Sequence, residues 1–121
     1  MTATVKVLIA SQNVPNAQTT AYTSPATGRG TLIDKFTATN YSASTVTISV
    51  NLITSGDTAG NQNLIVKTKS LAASESYSFP ELVGKFLGAG DFISWVASSA
   101  TAINGAANGR ELTYVCCSSV L

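Results

Sequence analysis

Between positions 45 and 52 the chain alternates without a break. Val46, Ile48, Val50 and Leu52 are interleaved with Thr45, Thr47, Ser49 and Asn51. Apolar residues at a period of two share one face of a strand, whereas on a helix they would be spread around its circumference. The segment therefore reads as a strand with one buried and one wet face, as in an antiparallel sheet packed on one side. Such a strand is not stable alone. The rest of the chain has to supply partners in its own sheet and a second layer to cover the apolar face.

The partners are visible as further stretches of the same kind. Val5, Val7 and Ile9 alternate with Thr4, Lys6 and Leu8. Strands are expected over 20–23, 31–40, 64–69 and 73–79, the last with Tyr77 and Phe79 on one face. Phe92–Ala97 carries the only tryptophan, Trp95, in phase with Ile93 and Ala97. Leu112, Tyr114 and Cys116 mark a final strand. In 31–40, Ile33 and Phe36 differ in parity, so a bulge near Asp34 and Lys35 is expected to turn both inward. Helical spacing occurs once, at Leu82, Val83, Phe86 and Leu87, where Pro80 and Gly88 would bound a short helical turn near 81–87. Residues 55–63 lack an apolar anchor and read as an exposed, mobile loop, and 100–109, rich in small residues, as a second loop.

About eight strands with regularly spaced turns predict an all-β fold. The expected form is an antiparallel two-sheet sandwich, jelly-roll-like, in preference to a small barrel. At 121 residues the chain makes a single domain, 1–121, in which 1–15 is an N-terminal arm or strand. Composition agrees. Charged residues are 11% of the chain, against about 25% in an average domain, and 15 Ser and 16 Thr take their place.

Net charge is +1, and the basic residues are scattered. Neither nucleic acid nor an anionic membrane surface is expected as a partner. No apolar run is long enough to span a bilayer. The first residues lack the apolar core of a signal peptide, so assembly in the cytoplasm is expected. The chain has no histidine, which removes the commonest general base and the commonest metal ligand. Its six acids are scattered, and a chance carboxylate pair is a weaker reading than turn and surface roles. Gly28-x-Gly30 and Gly88-x-Gly90 lack the remaining spacing of a phosphate loop. Asn40-Tyr41-Ser42 fits a glycosylation sequon, with no secretion signal to support its use. Cys116 and Cys117 are neighbours that point to opposite faces of a strand; both are expected to be reduced, one in the core. No cofactor, metal or catalytic residue is expected, and no enzyme.

Trp95 reads as core. Tyr41, at a loop tip, is the best candidate for an exposed aromatic contact. The other candidate interaction residues are Val5, Val7 and Ile9 on a first strand suited to strand addition, and Asp57 and Asn61 in the 55–63 loop.

From Tyr22 to about Glu111 the chain resembles small virion proteins of tailed bacteriophages. The likeness is carried by YTSP (22–25), IDKFTATN (33–40), STVTISV (44–50), LAASESY (71–77), LVGKFL (82–87) and GAGDFI (88–93). These are structural residues, and no catalytic set comes with them. The resemblance implies a β-sandwich component of the phage head, neck or tail that forms a homo-oligomer and is assembled into the virion in the host cytoplasm. Its partner would be the major capsid protein or neighbouring head or tail proteins. A capsid decoration (cement) protein that bridges capsomers is the leading expectation. The alternatives are a neck/collar or tail/baseplate adaptor subunit, and a carbohydrate- or receptor-binding module.

Overall fold

The alternating segment becomes β4 (Val46–Ile53), and the strands around it follow from the same period. The computed structural model describes residues 2–113, in nine strands and one 3-10 turn, Asn61–Asn63. In chain order the others are β1 (Thr2–Asn13), β2 (Thr19–Thr23), β3 (Gly30–Asn40), β5 (Leu64–Leu71), β6 (Ser76–Ser78), β7 (Phe86–Gly88), β8 (Phe92–Ala97) and β9 (Ile103–Thr113). One sheet runs β1-β9-β3-β6, with β7 also pairing β3, and the other runs β2-β8-β4-β5. Every pairing is antiparallel. Strands β6 and β7 meet β3 at Thr37–Thr39 and at Gly30–Leu32 respectively, so they share one lane of the sheet. With that lane counted once, β1 pairs with β9, β2 with β8, β3 with β6 and β7, and β4 with β5. This is a hairpin wound up on itself into two four-lane sheets, the jelly-roll arrangement.

The inner faces meet in one core. Phe36 packs edge-on against Phe79 at 5.3 Å and against Trp95 at 6.0 Å. Ile33, Ile48, Val50, Leu71, Leu82, Ile93 and Ile103 are fully buried around them. The register of β3 against β9 shifts between Ile33 and Lys35, and Ile33 and Phe36 are both buried, as their opposite parity required. From Val46 to Val50 the apolar side of β4 is buried, and Leu52 packs partly buried against the core.

Three local expectations are corrected. No helix forms over 81–87. The chain turns over 80–84, with Val83 N–H donating to Phe79 O and Gly84 N–H captured by Ile33 O at 2.7 Å. Gly84 has φ +85, so the chain reverses there and Phe86–Gly88 is laid beside β3 as a strand. The segment 100–109 is not a loop. From Ile103 it is β9, an inner strand that pairs on both edges. Its small residues answer to neighbours, because a Cβ on Gly105 would lie 2.6 Å from Trp95 Cζ3 and one on Gly109 would strike Leu32 O. Finally, β1 changes face midway. Its register shifts between Val7 and Ile9, so Val5 and Val7 point outward while Leu8 and Ile9 are buried. Tyr114, Cys116 and Cys117 lie outside the described residues.

Candidate interaction surface

Strand β1 ends its sheet. It pairs with β9 alone, and its other edge carries no partner strand among the described residues. From Thr2↔Thr113 to Val7↔Asn108 its register is regular. Such a stretch presents a row of backbone donors and acceptors suited to another strand. Beyond Val7 two register shifts, between Val7 and Ile9 and between Ile9 and Gln12, bend the strand and spoil that geometry. The edge is therefore open in its first half and irregular in its second.

Beside the open half, the outer face of the sheet is apolar. Val5 is 77% exposed, Val7 63% and Phe86 53%. Val5, Arg110, Leu32 and Phe86 fall in one cross-strand row. The one cation in that row is paired, since Arg110 donates to Asp34 through Nε at 3.1 Å and Nη2 at 3.0 Å. Where β1 bends, a depression of about 330 Å³ opens between Val7, Ile9, Thr37 and Ala106, with no charged side chain in its lining. The Val5 row thus carries no unpaired charge and keeps its apolar area exposed, while the exposed Lys35 stands one row on, across Asn108 from Val7.

The start of β1 is held in place from inside. Lys6 Nζ lies 3.2 Å from Glu111 of β9. Glu111 Oε2, one of the two oxygens that Lys6 reaches, also accepts from Tyr22 OH of the opposite sheet. Tyr22 OH lies 2.9 Å from Thr31 Oγ1, which lies 2.8 Å from Ser24 Oγ. Burial first, and the carboxylate of Glu111 second, push the Tyr22 hydroxyl up to about 12. It therefore stays protonated and donating, and the chain of polar groups ties β1, β3 and β9 to β2 across the end of the sandwich.

The sequence-derived candidates do not converge. Val5 and Val7 stand on the outer face beside the open edge, whereas Ile9 is buried in the core and reaches that face only as part of the lining of the depression. Tyr41 is exposed at the other end of the sheet, its hydroxyl donating to Asn13 Oδ1 at 2.7 Å. Its neighbour Asn40 is fully buried and holds the turn by donating to Ser44 O and Leu71 O and accepting from Ser42 N–H. Asp57 and Asn61 share the exposed loop after β4. That loop is anchored by amides instead of apolar groups, as Asn63 accepts from Gly60 N–H and Asn51 Nδ2 and donates to Thr58 O. Phe86 and Leu32 stand on this face without being sequence-derived candidates: the helical spacing of 82–87 hides Phe86, whereas strand alternation against Ile33 is enough to turn Leu32 outward.

Among the described residues no group of three or more Cys, Asp or Glu is placed to hold a metal ion, and no helix is long and apolar enough to cross a membrane. No family model, curated protein or solved structure matches this chain.

Proposed function

We propose that this chain is a bacteriophage virion structural protein, a capsid decoration subunit that self-associates and binds the head shell through the β1 edge and the face beside it. The observation that carries this reading is the regular, unpartnered first half of β1, with Val5 and Val7 exposed next to it. A long flat edge flanked by apolar side chains is an aggregation hazard in a monomer and a docking strip in an assembly. The Arg110–Asp34 pair supports it, because the one cation in the Val5 row is neutralised. The likeness to tailed-phage virion proteins supplies the setting, and the jelly roll is compatible with it, although a fold by itself does not assign a function.

The test is size-exclusion chromatography with light scattering, alone and with emptied phage heads, on the wild type and on a Val5→Lys, Val7→Lys double variant. A small defined oligomer that co-elutes with heads is expected for the wild type, and a folded monomer that does not for the variant. A wild type that stays monomeric and ignores heads overturns the proposal. A ring-sized oligomer that ignores heads replaces decoration with a neck or tail role.

A further inference from the structure

The opposite sheet carries a second feature that the self-association reading does not use. The geometry points to a binding site for an acidic sugar on the outer face of the β2-β8-β4-β5 sheet, in a depression of about 370 Å³. Its floor is amide. Asn51 and Ser94 face outward from β4 and β8, yet both are buried, because Gln18 and residues 60–63 fold over them. Asn51 Nδ2 donates to Gly60 O at 3.1 Å and to Asn63 Oδ1 at 2.8 Å. Gln18 Nε2 donates to Asn51 Oδ1 at 3.3 Å and to Ser94 Oγ at 2.7 Å. Both amide hydrogens of Gln18 point into this network, which leaves its carbonyl oxygen as an oriented acceptor.

The wall is built by a bulge. Ile48 pairs with Lys69 and Val50 with Val66, so Lys67 and Thr68 together oppose Ser49. In a regular strand these two neighbours would point to opposite faces. Here both are exposed and both line the depression. The cost appears in the backbone, because Thr68 is β-branched and has φ +45, with its N–H held by Ser49 Oγ at 2.8 Å. A bulge that re-aims side chains at the expense of strain is a recurring device at binding sites.

The lining fixes the ligand class. The Lys67 ammonium, the Asn61 amide and the Thr68 hydroxyl have no partner among the described residues, and Ser49 Oγ uses only its acceptor side. With the Gln18 carbonyl they offer both donors and acceptors, beside the apolar Leu64 and Val96, as a sugar's hydroxyls and C–H faces require. Lys67 is the single charge in the lining and no acid accompanies it, so the ligand brings one anionic group. Aromatic side chains are absent from the lining, which disfavours a stacked nucleobase. The volume falls at the lower end of the roughly 300–1,000 Å³ of small-ligand sites, room for a sugar unit carrying a carboxylate.

The test is a nuclear magnetic resonance titration of the full chain with sodium glucuronate, and with glucose as the uncharged match. Saturable shifts are expected at the side-chain amides of Gln18, Asn51 and Asn61 and the backbone amides of Lys67 and Thr68, with glucuronate the tighter ligand. Lys67→Gln should weaken glucuronate about tenfold and leave glucose unchanged. Asn61→Ala should weaken both. Lys67 and Asn61 are exposed, so both variants keep the fold. Shifts absent at the highest sugar concentration, shifts scattered over the surface, or equal binding of the two sugars unaffected by Lys67→Gln would each overturn the proposal. Head binding through β1 is read separately and has no bearing on the result.

Discussion

Strands β1 and β4 carry nearly the same sequence pattern and meet opposite fates. Val46, Ile48 and Val50 alternate with polar residues and are buried; Val5 and Val7 alternate in the same way and stand in solvent. The difference is position. β4 lies between β8 and β5 and its apolar side closes the core, whereas β1 is an edge strand whose Val5 and Val7 face away from the core. A period of two says that a segment is a strand and that its faces differ in polarity. It does not say which face the fold will use, nor whether a partner from outside has been left a place.

The largest expected effect comes from treating the two strands alike. Ile48→Ala should lower unfolding free energy by about 2–5 kcal/mol in denaturant titrations, by loss of burial and the cavity left behind. Val7→Ala, the same kind of truncation on β1, should fall within about 0.5 kcal/mol. Equal costs would break the contrast, because they would place Val7 in the core of the isolated chain.

A step smaller is the strand against which β1 lies. Gly105→Ala drives a methyl group towards Trp95 and should cost about 1–3 kcal/mol. Adding Trp95→Phe should make the Gly105→Ala step cheaper, and a double-mutant cycle in thermal unfolding measures that coupling. Strictly additive costs would mean that the two residues do not meet.

The polar plug under β1 gives a pH signature. Burial and Glu111 favour the protonated Tyr22 hydroxyl, so the folded chain holds that proton more tightly than the unfolded one. Its stabilisation is complete below about pH 10 and is lost as pH rises towards about 12. Tyr22→Phe should flatten that part of the stability profile and cost about 1 kcal/mol at neutral pH. An unchanged profile would remove Tyr22 as its source.

The smallest expected change in stability sharpens the comparison most. Val5→Thr with Val7→Thr should leave the unfolding midpoint nearly unmoved, within about 0.5 kcal/mol, and lower the oligomer fraction in light scattering. A variant that associates as well as the wild type would strip these valines of their interfacial role.

Much of this fold was written in local pattern. The two-sheet sandwich followed from alternation, and the β3 bulge from the parity of Ile33 and Phe36, since each depends on residues adjacent in sequence. What escaped was set by distant residues. Gly105 and Gly109 make 100–109 look like a loop until Trp95 and the Leu32 carbonyl are seen against them. The turn at 80–84 became a strand entry because Ile33 O captures Gly84 N–H. At the surface, Val5 and Val7 were legible as candidates, but the burial of Ile9 depended on the register shift beside it. The joint exposure of Lys67 and Thr68 depended on Ser49 facing two residues at once, which neither strand announces alone.

The wound-hairpin wiring also grades the strands by the loop that each pairing must close. β4 and β5 are joined by a short connection, whereas the outermost contact, Thr113 Oγ1 to Thr2 O, spans a separation of 111 residues. The entropy lost in closing a flexible segment grows with its length, so β1–β9 is the costliest pair to form from an open chain and gains most when the inner pairs are already in place. The strand that displays Val5 and Val7 is thus the one whose pairing closes the longest loop, and its place in the sheet rests most on the strands already beside it.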